Sequence, residues 1–283
     1  MICRLTTLCL LLSGFLFPVG AVAASVWKIS TSDGKVLYLG GSIHALRTTD
    51  YPLPPGYSRA FDASSRVVFE IDPKEMGAAT KSLLKAGEYS GADNLRNHVD
   101  PRTYDYLKRF FRLINVPEQK FSKFKPWCLA GMLQSPQLHG LSRDLGVEGF
   151  ISKRARDKSK PMSGLESLSE SVGIFANLSD QQSEALLLLA FIPMKNASST
   201  VMMNAWRHGD VDTLTRMTHD GFRDFPSLGD RLLDTRNKNW MPKIESFLNS
   251  GQNYFVVVGA AHLGGPNGLL AMLKAQGYKT EQL

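Results

Sequence analysis

The chain has 283 residues, of which 43% are hydrophobic and 21% are charged, and its formal net charge is +7 at pH 7. This composition is typical of a folded globular protein and excludes a disordered, collagen-like or coiled-coil chain. No composition break or long linker divides the sequence, so we expect one domain with enough residues for a sizeable core.

The N-terminal segment has the pattern of a secretory signal peptide. Arg4 precedes an apolar run of 13 residues, Leu5 to Phe17, and small residues follow at Ala21-Val22-Ala23. The run is shorter than the ~20 residues that a membrane span requires. We therefore predict that residues 1–23 are removed on export and that residues 24–283 form the mature, periplasmic or secreted protein. An uncleaved membrane anchor is the alternative.

Cysteine use and charge exclude several function classes. Loss of residues 1–23 would leave Cys128 as the only cysteine, so the mature chain has no internal disulfide. We interpret Cys128 as a small buried hydrophobe rather than a nucleophile. The basic run 153–160 is typical of a solvated helix end. For an exported chain we expect no nucleic-acid partner and no integral membrane span, and weak attraction to an anionic envelope surface is the alternative.

Predicted strands lie near both ends of the mature chain. The runs 26–29 and 36–39 flank Ser32-Asp33-Gly34 and predict a hairpin. The run 66–71 is rich in β-branched residues, and 254–258 is nearly all apolar, as in a strand covered on both faces. A short helix at 268–276 and a last strand at 278–283 follow.

The middle of the chain is predicted to be helical, because its apolar residues recur with a period near 3.6. The fold class we expect is a single α/β domain, with a central mixed sheet built from N- and C-terminal strands and a large helical insertion. The predicted helices of the insertion and its flank are Pro101–Ile114, Trp127–Leu141, Val147–Arg156, Asp180–Phe191, Val211–Thr218 and Leu228–Leu248.

Two segments share the pattern of an apolar strand followed by Gly-x-x-His. They are Tyr38-Leu39-Gly40-Gly41-Ser42-Ile43-His44 and Val257-Val258-Gly259-Ala260-Ala261-His262. Glycine lets the chain turn tightly at the strand end, which places each histidine just beyond the sheet. Ligands bind at this edge of open α/β sheets, so His44 and His262 are candidate site residues. A structural role is the alternative for each, and the repetition of the pattern disfavours it.

Glu70 and Arg236 are charged residues within apolar patterns. Glu70 interrupts the strand 66–71. If it is buried, its carboxylate needs an arginine, a metal or its own proton, and the alternative is exposure on a half-solvated strand. Arg236 stands on one helix face between Leu232 and Trp240. Such an arginine either extends its end to solvent or meets a carboxylate, from the protein or from a substrate.

Two histidines and a carboxylate at strand ends are a plausible ligand set for a divalent transition metal with an open position for water. The spacing alone does not decide between this and a structural role. The sequence contains no H-E-x-x-H helix, G-x-S-x-G elbow, phosphate loop or dinucleotide fingerprint.

The ordered set of motifs resembles the TraB/PrgY/GumN family, whose animal members include the Tiki metalloproteases. The order and approximate spacing hold from about residue 26 to the end, so the resemblance covers the mature chain. The matching segments are Tyr38-Leu39-Gly40-Gly41-Ser42-Ile43-His44 with Pro52-Leu53-Pro54, Val67-Val68-Phe69-Glu70-Ile71-Asp72, Lys160-Pro161 through Gly164-Leu165-Glu166, Arg236-Asn237-Lys238-Asn239-Trp240, and Val258-Gly259-Ala260-Ala261-His262-Leu263-Gly264-Gly265.

The resemblance implies a site of five residues. His44, Glu70, Glu166 and His262 would line it, with Arg236 beside them. It also implies a fold like that of the erythromycin-esterase and haem-binding ChaN-like proteins, and the activity of a metal-dependent hydrolase, in particular a protease.

The chain departs from the family pattern at two positions. Glu148 stands where family members have aspartate after Gly-Ile/Val, and Ser171 stands where many have glutamine. Neither change removes an expected ligand, but either can alter how a substrate is positioned.

These observations lead to a mechanistic hypothesis. His44, Glu70 and His262 would hold a divalent metal (Mn, Co, Zn or Fe) that activates water. Glu166 would be the general base or a further ligand, with a helix-start carboxylate as its structural alternative. Arg236 would bind a substrate carboxylate or the developing oxyanion. The substrate would be a peptide, or a small ester or glycan-linked molecule.

Two other function classes stay open at this point. One is a binding protein without turnover, for haem, a small ligand or a peptide signal. The other is an envelope scaffold, for which neither histidine would matter.

Overall fold

The computed structural model describes residues 23–192 and 196–283. The predicted signal peptide, residues 1–23, lies outside the described residues except for Ala23. Nothing in the structure therefore bears on that prediction.

Six strands form a single mixed sheet. In chain order they are β1 (Val26–Ser30), β2 (Val36–Ser42), β3 (Arg66–Ile71), β4 (Met162–Glu166), β5 (Tyr254–Gly259) and β6 (Lys279–Gln282). Their order across the sheet is β4-β3-β5-β2-β1-β6. β4, β3, β5 and β2 run parallel, while β1 is antiparallel to both β2 and β6. The four parallel strands therefore end at one common edge.

The central strands are apolar because helices cover both faces of the sheet. In β5, Phe255, Val256, Val257 and Val258 are fully buried. β2 pairs with β5 through the register Leu39↔Val256. This pairing joins the N-terminal and C-terminal parts of the chain, which confirms the predicted origin of the sheet.

Helices occupy the connections. The described α-helices are α1 (Pro55–Ala63), α2 (Met76–Ala86), α3 (Pro101–Leu113), α4 (Glu118–Phe121), α5 (Pro126–Leu133), α6 (Val147–Asp157), α7 (Leu168–Ala176), α8 (Asp180–Leu189), α9 (Asn196–His208), α10 (Val211–Gly221), α11 (Pro226–Gly229), α12 (Thr235–Asn249) and α13 (Leu269–Ala275). Short 3₁₀ turns span Thr48–Asp50, Leu95–Asn97, Pro136–His139 and Ala260–His262, and a π-helical turn spans Asp230–Asp234.

Two predicted helices differ from the observed ones. The predicted helix 127–141 ends at Leu133, because Pro136 cannot continue a helix and starts a 3₁₀ turn instead. The predicted helix 228–248 is helical throughout, but a π-helical turn at 230–234 lies between its two α-helical parts, α11 and α12. Single π turns inside helices are frequent at functional sites.

The sequence analysis did not predict β4. Its residues, Met-Ser-Gly-Leu-Glu, contain no β-branched residue and little alternation. β4 is a strand because β3 supplies a parallel partner, with Phe69 opposite Gly164 and Ile71 opposite Glu166. Glu166 consequently ends a strand, and the next helix, α7, begins only at Leu168.

Two apolar clusters make the core. The larger one surrounds the sheet and includes the fully buried Trp206, Tyr57 and Phe61. The smaller one joins α3, α4, α5 and α8. Cys128 is buried, and burial raises the pKa of its thiol to about 11, which fits a packing role. Within the described part of the chain, no helix is both long and apolar enough to span a bilayer.

Candidate functional site

The candidate residues meet at the carboxyl edge of the parallel strands. His44 follows the end of β2 by two residues, and Glu70 is the penultimate residue of β3. Glu166 ends β4, and His262 closes the 3₁₀ turn after β5. Arg236 reaches them from the first turn of α12. Because these strand ends share one edge, residues distant in the chain become neighbours, as is usual in open α/β sheets.

Gly259 is the point around which three of these side chains converge. A Cβ atom on Gly259 would lie 3.2 Å from His44 Nε2, 3.4 Å from Glu70 Oε1 and 3.5 Å from His262 Cδ2. A larger residue would therefore push into the space that these side chains share. The glycine of the second Gly-x-x-His motif thus provides room for the site as well as a turn.

Arg236 joins the two carboxylates. Its Nη2 donates to Glu70 Oε2 at 2.5 Å, and its Nε donates to Glu166 Oε1 at 2.5 Å. The side chain is only 16% exposed, and its guanidinium lies 4.6 Å from the ring centre of Trp240. The arginine therefore does not extend to solvent; of the two alternatives, it meets carboxylates of the protein.

Glu70 is ionised in this arrangement. Burial acts to raise its pKa, but Arg236, the nearby histidines and the backbone N–H of Gly259 hold that pKa well below the usual range. The Gly259 N–H donates to Glu70 Oε1 at 2.8 Å. The carboxylate is therefore charged and aimed at the centre of the site.

Glu166 is the more enclosed of the two carboxylates. It is buried, and burial raises its pKa even though Arg236 acts in the opposite direction. Its Oε2 has no hydrogen bond, and neither does the buried Nε1 of Trp240. One oxygen of Glu166 is thus committed to Arg236, while the Trp240 side chain also acts to lower the pKa of Glu166.

His44 is held by a carboxylate that the sequence analysis did not select. Its Nδ1 lies 2.6 Å from Glu148 Oε1, and the Ser42 hydroxyl donates to the same oxygen. The negative charge of Glu148 raises the pKa of His44 to about 9, although burial acts in the opposite direction. The His44 side chain is 60% exposed, so this half of the site opens to solvent.

His262 is held by an amide and is 4% exposed. Its Nδ1 lies 2.8 Å from Asn237 Oδ1, and its ring centre is 4.5 Å from that of Trp240. Its Nε2 lies 3.3 Å from Arg236 Nη1 and 4.0 Å from Glu70 Oε1. Burial lowers the pKa of His262 to about 3, so the ring is neutral near pH 7.

The structure brings all five predicted site residues together, namely His44, Glu70, Glu166, Arg236 and His262. In their present positions, no three His, Cys, Asp or Glu side chains among the described residues could hold a metal ion. Both histidines nevertheless use Nδ1 for a protein oxygen, which leaves Nε2 for the site.

Three further site residues, Ser42, Glu148 and Asn237, were not selected from the sequence. Glu148 had a signal, since it stands in the Gly-Val-Glu segment that matches the family's Gly-Ile/Val-Asp. Asn237 had a weaker one, as the neighbour of Arg236. Ser42 had none beyond its place in the motif. All three act by binding other side chains, so their partners could be identified only in the folded chain.

Other surface features lie apart from this site. A cavity of about 660 Å³ lies between α3 and α4, and Lys108, Arg109, Arg112 and Glu118 line it. None of the predicted site residues lines that cavity. Within the basic run 153–160, Lys153 pairs with Asp157 and Arg154 pairs with Asp62, as expected for a solvated helix face.

Comparison with known proteins supports the motif assignment. The model of the TraB/PrgY/gumN family matches residues 25–282. No curated protein and no solved structure matches the chain. The family match includes every strand and every residue of the site described above, so this chain belongs to the TraB/PrgY/gumN family.

Proposed function

We propose that this protein is an exported, metal-dependent hydrolase that acts on peptides. One observation carries the proposal. Two histidines have Nδ1 bound to a protein oxygen, and one of them, His44, directs Nε2 to the same glycine-lined space as Glu70 Oε1. Metal-ligating histidines usually donate their other ring N–H to a carboxylate or carbonyl in this manner.

The donor set fits a divalent transition metal in the type of its atoms. His44 Nε2, His262 Nε2 and Glu70 Oε1 are two imidazole nitrogens and a carboxylate oxygen, a combination that suits Zn, Mn, Fe or Co. Glu70 is already ionised, and His262 is already neutral. A metal held there would lower the pKa of a water molecule and polarise a substrate carbonyl.

Arg236 has the position to bind the substrate. Its Nη1 donates to Leu232 O at 3.4 Å and lies 3.3 Å from His262 Nε2, while Nε donates to Glu166 and Nη2 donates to Glu70. A guanidinium so oriented can donate to a substrate carboxylate or to the oxyanion that forms when a carbonyl is attacked. The two carboxylates keep its orientation before substrate arrives.

Glu166 is proposed to accept a proton from the attacking water through Oε2, the oxygen that Arg236 does not bind. Its raised pKa suits transfer of that proton onward to a leaving group. Its other oxygen keeps Arg236 in place. The remaining role suggested by the sequence, that of a further metal ligand, is less compatible with this ion pair.

The export and substrate class rest on the sequence. Residues 1–23 have the signal-peptide pattern, and the resemblance to the Tiki metalloproteases suggests a peptide bond as the target. The open side of the site at His44 would admit an extended chain.

Ligand binding without turnover is the second candidate. The observation in its favour is that Arg236 already pairs with both Glu70 and Glu166, so each carboxylate has a cationic partner without a metal. A small anionic ligand or a peptide carboxylate could then bind Arg236 and leave unchanged.

Metal analysis of the purified protein tests the proposal. We expect about one Zn, Mn, Fe or Co per chain by mass spectrometry, after addition of each ion, and loss of that metal in a His44→Ala/His262→Ala double variant. His208→Ala, which removes an exposed histidine bonded to Asn204 O, is the matched control and should keep the metal. The loaded protein should then cleave members of a peptide library. Absence of every metal from the wild-type protein would overturn the hydrolase proposal, and metal without cleavage would favour the binding protein.

A further inference from the structure

Asn237 makes three hydrogen bonds through a single buried amide. Its Nδ2 donates to the backbone oxygen of His262 at 3.1 Å and to that of Asn267 at 2.9 Å. Its Oδ1 lies 2.8 Å from His262 Nδ1. Asn237 is only 1% exposed, so these three bonds are made in the absence of competing solvent.

The two carbonyl oxygens decide which way the amide points. A carbonyl oxygen can only accept, so the NH₂ group must face both of them. The flipped amide would place Oδ1 against two oxygen atoms and leave buried polar groups unpaired, which is costly. Oδ1 must therefore face the ring of His262, and an amide oxygen can only accept. The proton of that hydrogen bond consequently belongs to His262 Nδ1.

Arg236 leads to the same assignment from the other side of the ring. Its Nη1 lies 3.3 Å from His262 Nε2, and a guanidinium has donors only. Nε2 therefore carries a lone pair and Nδ1 carries the proton. Trp240 packs against the same ring, so three residues of α12 surround His262.

The local fold holds Asn237 in this position. The π-helical turn Asp230–Asp234 ends directly before α12, and Asp234 Oδ2 accepts a hydrogen bond from Asn267 Nδ2 at 2.8 Å. This bond ties the loop after His262 to the start of the helix. The loop therefore holds the Asn267 backbone oxygen against the side-chain amide of Asn237. This contact prevents the amide from flipping.

We propose that Asn237 is a positioning residue that locks His262 in its Nδ1–H tautomer and thereby presents the Nε2 lone pair to the site. The tautomer itself is independent of the proposed function. Only the use of Nε2 as a metal ligand rests on that proposed function, since a metal binds the unprotonated nitrogen.

Nitrogen-15 NMR of the purified protein, labelled in its histidine rings and free of metal, tests the tautomer directly. We expect a protonated Nδ1 and an unprotonated Nε2 for His262 at pH 7, with its signals assigned by their loss in His262→Gln. An Nε2–H tautomer or an imidazolium in the wild-type protein would overturn the inference.

Three variants test the role of Asn237. Asn237→Ala removes the acceptor, so the second tautomer should appear, and affinity for Zn²⁺ alone should fall about 10- to 100-fold. Asn237→Asp keeps an acceptor for Nδ1 and should keep Nδ1 protonated, but it loses the two amide donor bonds to backbone oxygens and should be less stable than the wild type. Asn239→Ala, an exposed asparagine of the same helix, is the matched control and should change neither readout.

The outcomes separate the two proposals. An Asn237→Ala protein that keeps the wild-type tautomer would overturn the inference, whatever its affinity for Zn²⁺. If the wild-type ring has the expected tautomer, and Asn237→Ala disturbs it, the inference holds. A failure of the wild-type protein to bind Zn²⁺ would then overturn only the metal site of the proposed function.

Discussion

The two Gly-x-x-His turns have similar sequences but opposite environments. His44 is 60% exposed and bonded to the Glu148 carboxylate, whereas the side chain of His262 is 5% exposed and bonded to the Asn237 amide. The pKa of His44 is raised to about 9, and that of His262 is lowered to about 3. At neutral pH the first ring is therefore charged and the second is neutral.

The difference shows that the motif places the ring but does not determine its protonation. The Glu148 carboxylate stabilises the imidazolium of His44, whereas burial disfavours the charged form of His262. In a metal site the two histidines would differ in consequence. His44 would release a proton when it binds a metal, and His262 would not. Four predictions test this contrast, in order of decreasing expected effect.

In the proposed hydrolase, Glu166→Gln should strongly reduce kcat and leave the free energy of unfolding nearly unchanged. The amide oxygen of glutamine can still accept from Arg236 Nε, but the amide cannot accept a proton, so we expect kcat to fall about 10²- to 10⁴-fold. The free energy of unfolding from urea titration should change little. Glu170→Gln, in the next helix and outside the site, is the control. Unchanged kcat would exclude Glu166 as the base.

Arg236→Ala should lower the free energy of unfolding of the protein. It leaves the carboxylates of Glu70 and Glu166 without their common partner, and breaking a buried ion pair in this way costs about 3–5 kcal/mol. Urea denaturation measures this loss. Arg216→Ala, which removes an exposed arginine bonded to Thr213, should cost far less. Equal losses in the two variants would show that the buried ion pairs contribute little.

Glu148→Gln should lower the pKa of His44 and leave the pKa of His262 unchanged. Without the negative charge of Glu148, the pKa of His44 should fall from about 9 toward its ordinary value of about 6.5. NMR titration of the ring signals follows both histidines in one experiment. Asp144→Asn, in the exposed loop before α6, is the control. A His44 titration that stays high would assign the shift to another charge.

His44 and His262 should make the free energy of unfolding depend on pH in opposite directions. Because the folded pKa of His44, about 9, exceeds its unfolded value, its contribution is complete below about pH 6.5 and is lost as pH rises to about 9. The folded pKa of His262, about 3, lies below the unfolded value, so stability falls as pH decreases from about 6.5 toward 3.

Urea denaturation across this pH range, in wild type and in single His→Gln variants, separates the two contributions. His44→Gln should flatten the alkaline part of the curve only, and His262→Gln should flatten the acidic part only. A variant that flattens the other part would contradict the assigned pKa directions.

Much of the fold could be predicted from the sequence because its signals are local. β3 and β5 are apolar runs rich in β-branched residues, β2 follows a hairpin turn, and α3 has a strong 3.6-residue period with Asp100 as its cap. β4 had no such signal, since it is a strand only through pairing with β3. For that reason Glu166 was expected near a helix start and lies instead at a strand end.

Site residues could be predicted where a charged side chain stood within an apolar sequence pattern. Glu70 within an apolar strand and Arg236 within an apolar row both required a partner, and each is the other's. Glu148 and Asn237 gave no comparable signal. Glu148 stands in the first turn of α6, where an acidic residue is ordinary because it interacts favourably with the helix dipole, and Asn237 is one polar residue among several in α12.

The sequence by itself determined that His44, Glu70 and His262 reach the carboxyl edge, because strand patterns and glycine turns are local properties of the chain. Only the tertiary structure decided what each group does there. Glu148 reaches His44 across 104 residues, and Asn237 reaches His262 from a different element across 25. Charge, tautomer and ion pairing depend on these contacts and on burial, and neither exists before the chain has folded.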